Sequence, residues 1–107
     1  MRRVLVTAVG GNVGQGVIKA LRAGREDYHI VGIDMEPLSA GYAFVDSKYV
    51  VPATGTEGFG NALSTIIESE RVEAIYPCSP TELLVFAEKK AWLESTHGVT
   101  VLVNGSK

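Results

Sequence analysis

Five short runs of apolar, largely β-branched residues recur along the chain, at positions 4–8, 30–33, 49–51, 74–76 and 99–103. They are apolar on both faces rather than alternating, as strands are when a sheet is covered on both sides. Between them the apolar period lengthens to that of a helix. Val13, Val17, Ile18 and Leu21 share one helical face, and Phe59, Ala62, Leu63, Ile66 and Ile67 share another. A third helix, over roughly 80–94, carries Leu83, Leu84, Phe86, Ala87, Ala91 and Trp92. Its start is marked by Ser79-Pro80-Thr81-Glu82, a capping hydroxyl, a proline at the first helical position and a glutamate three residues past the cap.

Strands that alternate with helices pair in parallel through right-handed crossovers. The expected fold is therefore α/β: a doubly wound, Rossmann-like, five-stranded parallel sheet of order 3-2-1-4-5 with helices on both faces. One segment breaks the alternation. Residues 35–48 contain Pro37, Ser39, Gly41 and Asp46, and read as a loop with a single turn of helix.

The 107 residues suit one domain. A hydrophobic share of 46% against 21% charged residues is that of an ordinary folded chain. A formal net charge of −2 leaves no basic footprint, so neither nucleic acid nor an anionic membrane is an expected partner. The apolar run after Met1-Arg2-Arg3 stops at Gly10, short of a signal or spanning segment. With Cys78 alone, no internal disulfide can form and a cytoplasmic setting is expected. The final residues, Asn104-Gly105-Ser106-Lys107, look like a cut within a longer protein.

Directly after the first strand comes Thr7-Ala8-Val9-Gly10-Gly11-Asn12-Val13-Gly14, leading into the first helix. Glycines permit a sharp turn and close approach of a ligand, and a helix N-terminus favours an anion. The fingerprint G-x-G-x-x-G would need glycine where Val9 stands, and the pattern T-G-x-x-G-x-x-G has Ala8 for its first glycine. Asp34, ending the second strand, stands where a ribose-binding acid would. Ligand contact and mere strand-to-helix packing are both open readings of these glycines.

In the expected strand order, the loop at 10–14 faces the loop at 77–82 across the point where the order reverses, the usual place for a ligand. Candidate substrate- or nucleotide-binding residues are accordingly Gly10, Gly11, Asn12, Gly14, Asp34, Ser79 and Glu82. Glu82 also has a structural reading, as the reciprocal partner in a capping box. Cys78 is expected to be a small buried thiol, because His29 and His97 precede their strands and so lie at the opposite edge of a parallel sheet. No metal-ligand spacing occurs in the sequence. Glu68, Glu70 and Glu73 with Arg71 read as a solvated charge cluster, and Trp92 as packing the last helix on the sheet.

Taken together, Val4-Leu5-Val6-Thr7, Gly10-Gly11, Gly14-Gln15-Gly16, Val31-Gly32-Ile33-Asp34, Pro37, Ala40-Gly41, Ala43-Phe44-Val45-Asp46, Tyr49-Val50-Val51-Pro52, Ile75-Tyr76-Pro77 and Glu82-Leu83 resemble the N-terminal pre-ATP-grasp domain of carbamoyl-phosphate synthase large-chain-like proteins. The resemblance spans the whole chain. It implies a carboxylate–amine ligase working through an acyl phosphate, with ATP and magnesium held by a downstream ATP-grasp domain and none bound tightly by this chain. It further implies a small carboxylate or amine substrate and a chain that is inactive alone; a homodimer is a further expected partner state. Pro80 stands where that family has an aspartate. Two other readings remain: an NAD(P)-binding domain like that of extended short-chain dehydrogenases, which lacks here any Tyr-x-x-x-Lys pair, and a non-catalytic docking module.

Overall fold

A computed structural model describes residues 1–103; the sequence end at 104–107 lies outside them. The elements are β1 (Arg2–Val6), α1 (Asn12–Ala23), β2 (Tyr28–Asp34), a 3₁₀ turn (Ala40–Phe44), β3 (Ser47–Val50), α2 (Glu57–Glu70), β4 (Ala74–Tyr76), α3 (Pro80–His97) and β5 (Thr100–Val101). All four strand pairings are parallel and the order is β3-β2-β1-β4-β5. The expected topology is the observed one, and the irregular segment holds its single helical turn.

Side chains alternate across the sheet, so each strand feeds two cores. Val4, Val6, Ile30 and Ala74 turn to one face and pack with Ile18 and Val17 of α1 and with Tyr42 and Val45. Leu5, Val31, Ile33 and Ile75 turn to the other and pack with Phe59, Leu63 and Ile67 of α2 and with Phe86 and Leu93 of α3. Phe59 and Phe86 meet edge to face at 6.1 Å. Burial of each such side chain contributes about 1.5–3 kcal/mol.

Three packing expectations need correction. On α3 the buried positions are Glu82, Phe86 and Leu93, while Leu84 and Trp92 are exposed. Leu93 and Glu82 replace the expected stripe because α3 carries apolar residues on more than one side, and only this line of them is buried. Trp92 accordingly packs edge-on against His97 at 5.5 Å rather than on the sheet. Glu70 is no surface charge: at the end of α2 it takes hydrogen bonds from Arg3 (3.0 Å) and from the Tyr49 hydroxyl, with His29 at 3.4 Å. Arg3, His29 and Tyr49 sit on three adjacent strands and point to the same face, which is why their polar tips converge there. Burial pushes the Glu70 carboxyl up, but the Tyr49 hydroxyl and the His29 and Arg3 charges outweigh it and hold it below its ordinary value.

β5 is shorter than the apolar run that encodes it. Its outer edge is met by α3 instead of by another strand: Val101 N–H donates to Glu94 at 3.0 Å, and Lys90 donates to the Val101 and Val103 carbonyls at 3.1 and 3.3 Å. Charged side chains that occupy an edge in this way blunt strand addition.

Candidate functional site

The strands exit toward one ridge, and there a cavity of about 330 Å³ opens beside the point where the strand order reverses. Ala8 from the turn after β1, Asp34 and Met35 from the end of β2, Val51 to Thr54 from the segment after β3, and Ser79, Thr81 and Glu82 from the start of α3 line it.

The start of α3 positions the last three. Ser79 caps the helix, its hydroxyl accepting from Glu82 N–H at 3.2 Å, and Pro80 occupies the first turn. Only half of the expected capping box forms, however. The Glu82 carboxylate turns to the ridge, where it accepts hydrogen bonds from the Thr7 hydroxyl and, at 3.2 Å, from Thr54. The Thr7 hydroxyl in turn accepts from Cys78 N–H at 3.0 Å. Thr7 is fully buried and Glu82 is 8% exposed. A carboxylate so placed costs several kcal/mol unless hydrogen-bonded, and the two threonines with the helix dipole offset part of that cost.

Cys78 lies beside this pair, buried, with its thiol donating to Tyr76 O at 3.3 Å. Burial, with the Glu82 charge added, pushes the thiol up to about 11. That is the inert thiol expected from the sequence, and both histidines pair elsewhere: His29 with Glu70, His97 with Glu68.

Asp34 is the other carboxylate of the cavity. Its Oδ2 accepts from Gly10 N–H at 2.8 Å and Ser39 at 3.3 Å, and its Oδ1 from Glu36 N–H at 3.0 Å. The cavity thus brings Asp34, Ser79 and Glu82 together, while Gly10, Gly11, Asn12 and Gly14 do not line it. Gly10 reaches it only through Asp34, and Gly11 caps α1 with exposed Asn12 as its first residue.

Packing accounts for one of these glycines: a methyl built on Gly14 would lie 2.6 Å from Ala8 O, whereas one on Gly10 would meet the tip of the Ser39 side chain at 2.7 Å, which can turn aside. Gly41 approaches Val9 O even more closely, so the 3₁₀ turn is laid directly against the glycine loop. Ala8, the residue that replaces a pattern glycine, has φ 51°. The left-handed backbone of the pattern survives without its glycine, at a cost of about 1–2 kcal/mol.

Sequence reasoning missed Thr7 and Thr54. Thr7 lies within an apolar run and reads as strand, and only its partner on α3, 75 residues along the chain, shows its role. A second groove of similar size, about 340 Å³, runs between α2 and α3 past Phe59, Leu63, Phe86 and Trp92. Near it Ser64 lies 3.2 Å from His97, which reaches Glu68 at 3.1 Å. Ser64 stands in mid-helix, where neighbouring N–H groups are spent on the helix and cannot stabilise an oxyanion; the trio ties α3 to α2.

Comparison with known proteins agrees with this architecture. The profile of a protein family described as PylC-like, N-terminal domain, matches residues 4–102. No curated protein sequence matches the chain. Among solved structures, dTDP-glucose 4,6-dehydratase from Bacillus anthracis in complex with NAD superposes with a TM-score of 0.64 at 16% identity, over 94% of this chain and 36% of that one. The WlbA dehydrogenase from Thermus thermophilus, in complex with NAD and alpha-ketoglutarate, gives 0.56 at 18% identity, over 97% of this chain and 41% of that one. This chain therefore spans well under half the length of either, and likeness at such identity concerns the fold alone. Among the described residues no helix is long and apolar enough to cross a membrane.

Proposed function

The chain belongs to the family of PylC-like N-terminal domains, pre-ATP-grasp domains by type, and from this we propose that it forms the substrate-side wall of an ATP-dependent carboxylate–amine ligase. The observation that carries the reading is the family match over nearly the whole chain, 4–102. The cavity at the strand exits, with Asp34, Ser79 and Glu82 on its wall, is the surface that such a domain offers to substrate.

ATP would supply the energy, as an acyl phosphate of the substrate carboxylate. The cavity itself suits neither the triphosphate nor its magnesium. No lysine or arginine lines it, and the described residues contain no group of three or more metal-ligating side chains. Both are assigned to a following ATP-grasp domain, with this chain holding and orienting the small substrate in a cytoplasmic enzyme. A ligase like the carbamoyl-phosphate synthase large chain is the parent protein that this reading proposes.

The dinucleotide reading draws on the two NAD-bound dehydrogenases of like fold. Against it, Asp34 is already engaged by Gly10 and Ser39.

The reading frame beyond Lys107 tests the proposal. An ATP-grasp domain encoded in frame, or as the adjacent gene product that releases phosphate from ATP in this chain's presence, supports it. Saturable quenching of NADH or NADPH fluorescence by the purified chain would overturn it.

A further inference from the structure

We propose that residues 52–55 form a strap that opens and closes the cavity at the strand exits, latched by the Thr54–Glu82 hydrogen bond and hinged at Gly55. Such a strap governs entry to the cavity whatever ligand it takes, and so goes beyond the ligase reading without depending on it.

Val51 to Thr54 form one wall of the cavity and Glu82 lies on another, and the Thr54 hydroxyl donates to the Glu82 carboxylate at 3.2 Å. The segment is fixed at both ends. Val51 is buried and its N–H donates to Asp34 O at 3.0 Å. Thr56 caps α2, its hydroxyl accepting from Phe59 N–H at 3.2 Å. Between these anchors the backbone is unheld. Pro52 has no N–H, and among the described residues the N–H groups of Ala53, Thr54 and Gly55 donate to no protein group. Pro52, Ala53 and Gly55 are exposed. Apart from bonds to the adjoining Thr56, the Thr54–Glu82 bond is the one hydrogen bond among the described residues that holds 52–55 to the rest of the fold. Exposed backbone with one tertiary tether opens locally, at far less free energy than global unfolding.

Gly55 supplies the hinge. Its φ is +90° and nothing stands within 4 Å of a methyl built on it, so the path of the backbone, not packing, sets that conformation. Closed, the strap leaves Glu82 8% exposed. With Thr54 swung away, the carboxylate loses a hydroxyl partner and meets water, which competes for the Thr7 hydroxyl and loosens its bond to Cys78 N–H. The buried Cys78 amide therefore reports on the latch.

The test is native-state amide hydrogen exchange at low urea on the complete 107-residue chain. Four variants are compared with it: Thr54→Val removes the latch hydroxyl, Thr54→Ser keeps it, Gly55→Ala strains the closed hinge, and Ile66→Val weakens the core under α2. In the unaltered chain, Cys78 exchange should depend little on urea, as a local opening does, while the Leu5 and Val31 amides of the central strands exchange more slowly and accelerate steeply with urea. Thr54→Val should speed Cys78 exchange by about tenfold or more, the loss of a hydrogen bond to a charged group. Gly55→Ala should speed it severalfold, and Thr54→Ser should leave it near the unaltered rate. Ile66→Val should speed Leu5 and Val31 severalfold and leave Cys78 unchanged.

Cys78 exchange that tracks Leu5 and Val31, both in urea and in Ile66→Val, would overturn the strap, because that amide would then open only with the whole chain. So would an unchanged Cys78 rate in Thr54→Val, or a Thr54→Ser rate equal to that of Thr54→Val. If Thr54→Val does not fold, Gly55→Ala and Ile66→Val carry the comparison. None of these outcomes alters the ligase reading, which the reading frame beyond Lys107 decides.

Discussion

Replacing Gly14 and Gly16 by alanine, one at a time, separates a glycine kept for packing from one that is not. Both lie in α1 within two residues of each other, so helix propensity acts on them alike. In each case alanine gains about 1 kcal/mol from propensity. At Gly16 nothing stands within 4 Å of the added methyl, and the residue is exposed; Gly16→Ala should stabilise by about 0.5–1 kcal/mol. At Gly14, which is buried, the methyl would lie 2.6 Å from Ala8 O and 3.1 Å from Val9 Cα. Those are backbone atoms that cannot swing aside, so α1 or the turn must move, at about 1–3 kcal/mol for overpacking. After the propensity gain, Gly14→Ala should be neutral to destabilising by about 2 kcal/mol, leaving the two variants about 1–3 kcal/mol apart. With an m-value of about 1–1.5 kcal/mol/M for a small domain in urea, their midpoints should differ by about 0.7–3 M. Equal and stabilising shifts for both would refute the packing account and return Gly14 to the candidates for ligand approach.

Thr7→Val is nearly isosteric but leaves Cys78 N–H without an acceptor and Glu82 without its buried donor; unfolding free energy should fall by about 3 kcal/mol, and an unchanged urea midpoint would contradict the bonding. Glu70 and Asp46 are held below their ordinary values of 4.5 and 3.8 by the hydrogen bonds and cations that outweigh burial. Their stabilisation is therefore complete above those values and lost as pH falls through the lower folded ones. Urea midpoints should stay level from neutral pH to about 5 and drop below about 4, less steeply in Glu70→Gln; an identical acid limb in that variant would count against the network. With its thiol pushed from 9.0 up to about 11, Cys78 should react with a disulfide reagent at pH 8 about a hundredfold more slowly than the unfolded chain, and fast stoichiometric labelling of the folded protein would refute its burial.

Legibility followed the range of the interaction. Strands and their order were readable because apolar runs and helical periods are local signals, and parallel crossovers admit few topologies. The cap at Ser79 was readable for the same reason. What failed was contact across the chain. Glu82 carries the pattern of a capping box, yet Thr7, just past the end of β1 and 75 residues away, draws its carboxylate off. Glu70 looks like one of several surface acids until β1, β2 and β3 set Arg3, His29 and Tyr49 around it. Trp92 was misplaced because α3 is apolar on more than one side, so composition alone could not choose its buried face. In the glycine loop, Ala8 looked like a motif lost; the backbone demand that the motif encodes is present, with φ 51°, and alanine bears it.

The first turn of α3 ties three elements together at this ridge. Ser79 and Pro80 fix where the helix starts without help from the Glu82 side chain, which frees that carboxylate to cross to Thr7 and Thr54. Through Thr7 the same hydrogen-bond chain reaches Cys78 N–H at the exit of β4, so β1, β4 and α3 are locked where the strand order reverses. The acids on the cavity wall are Glu82, set deep, and Asp34, set on the rim. Depth gives them different work. The buried Glu82 carboxylate is fixed in position by two hydroxyls, whereas Asp34 is committed to Gly10 and Ser39 and holds the glycine turn and the 3₁₀ segment in place beside it.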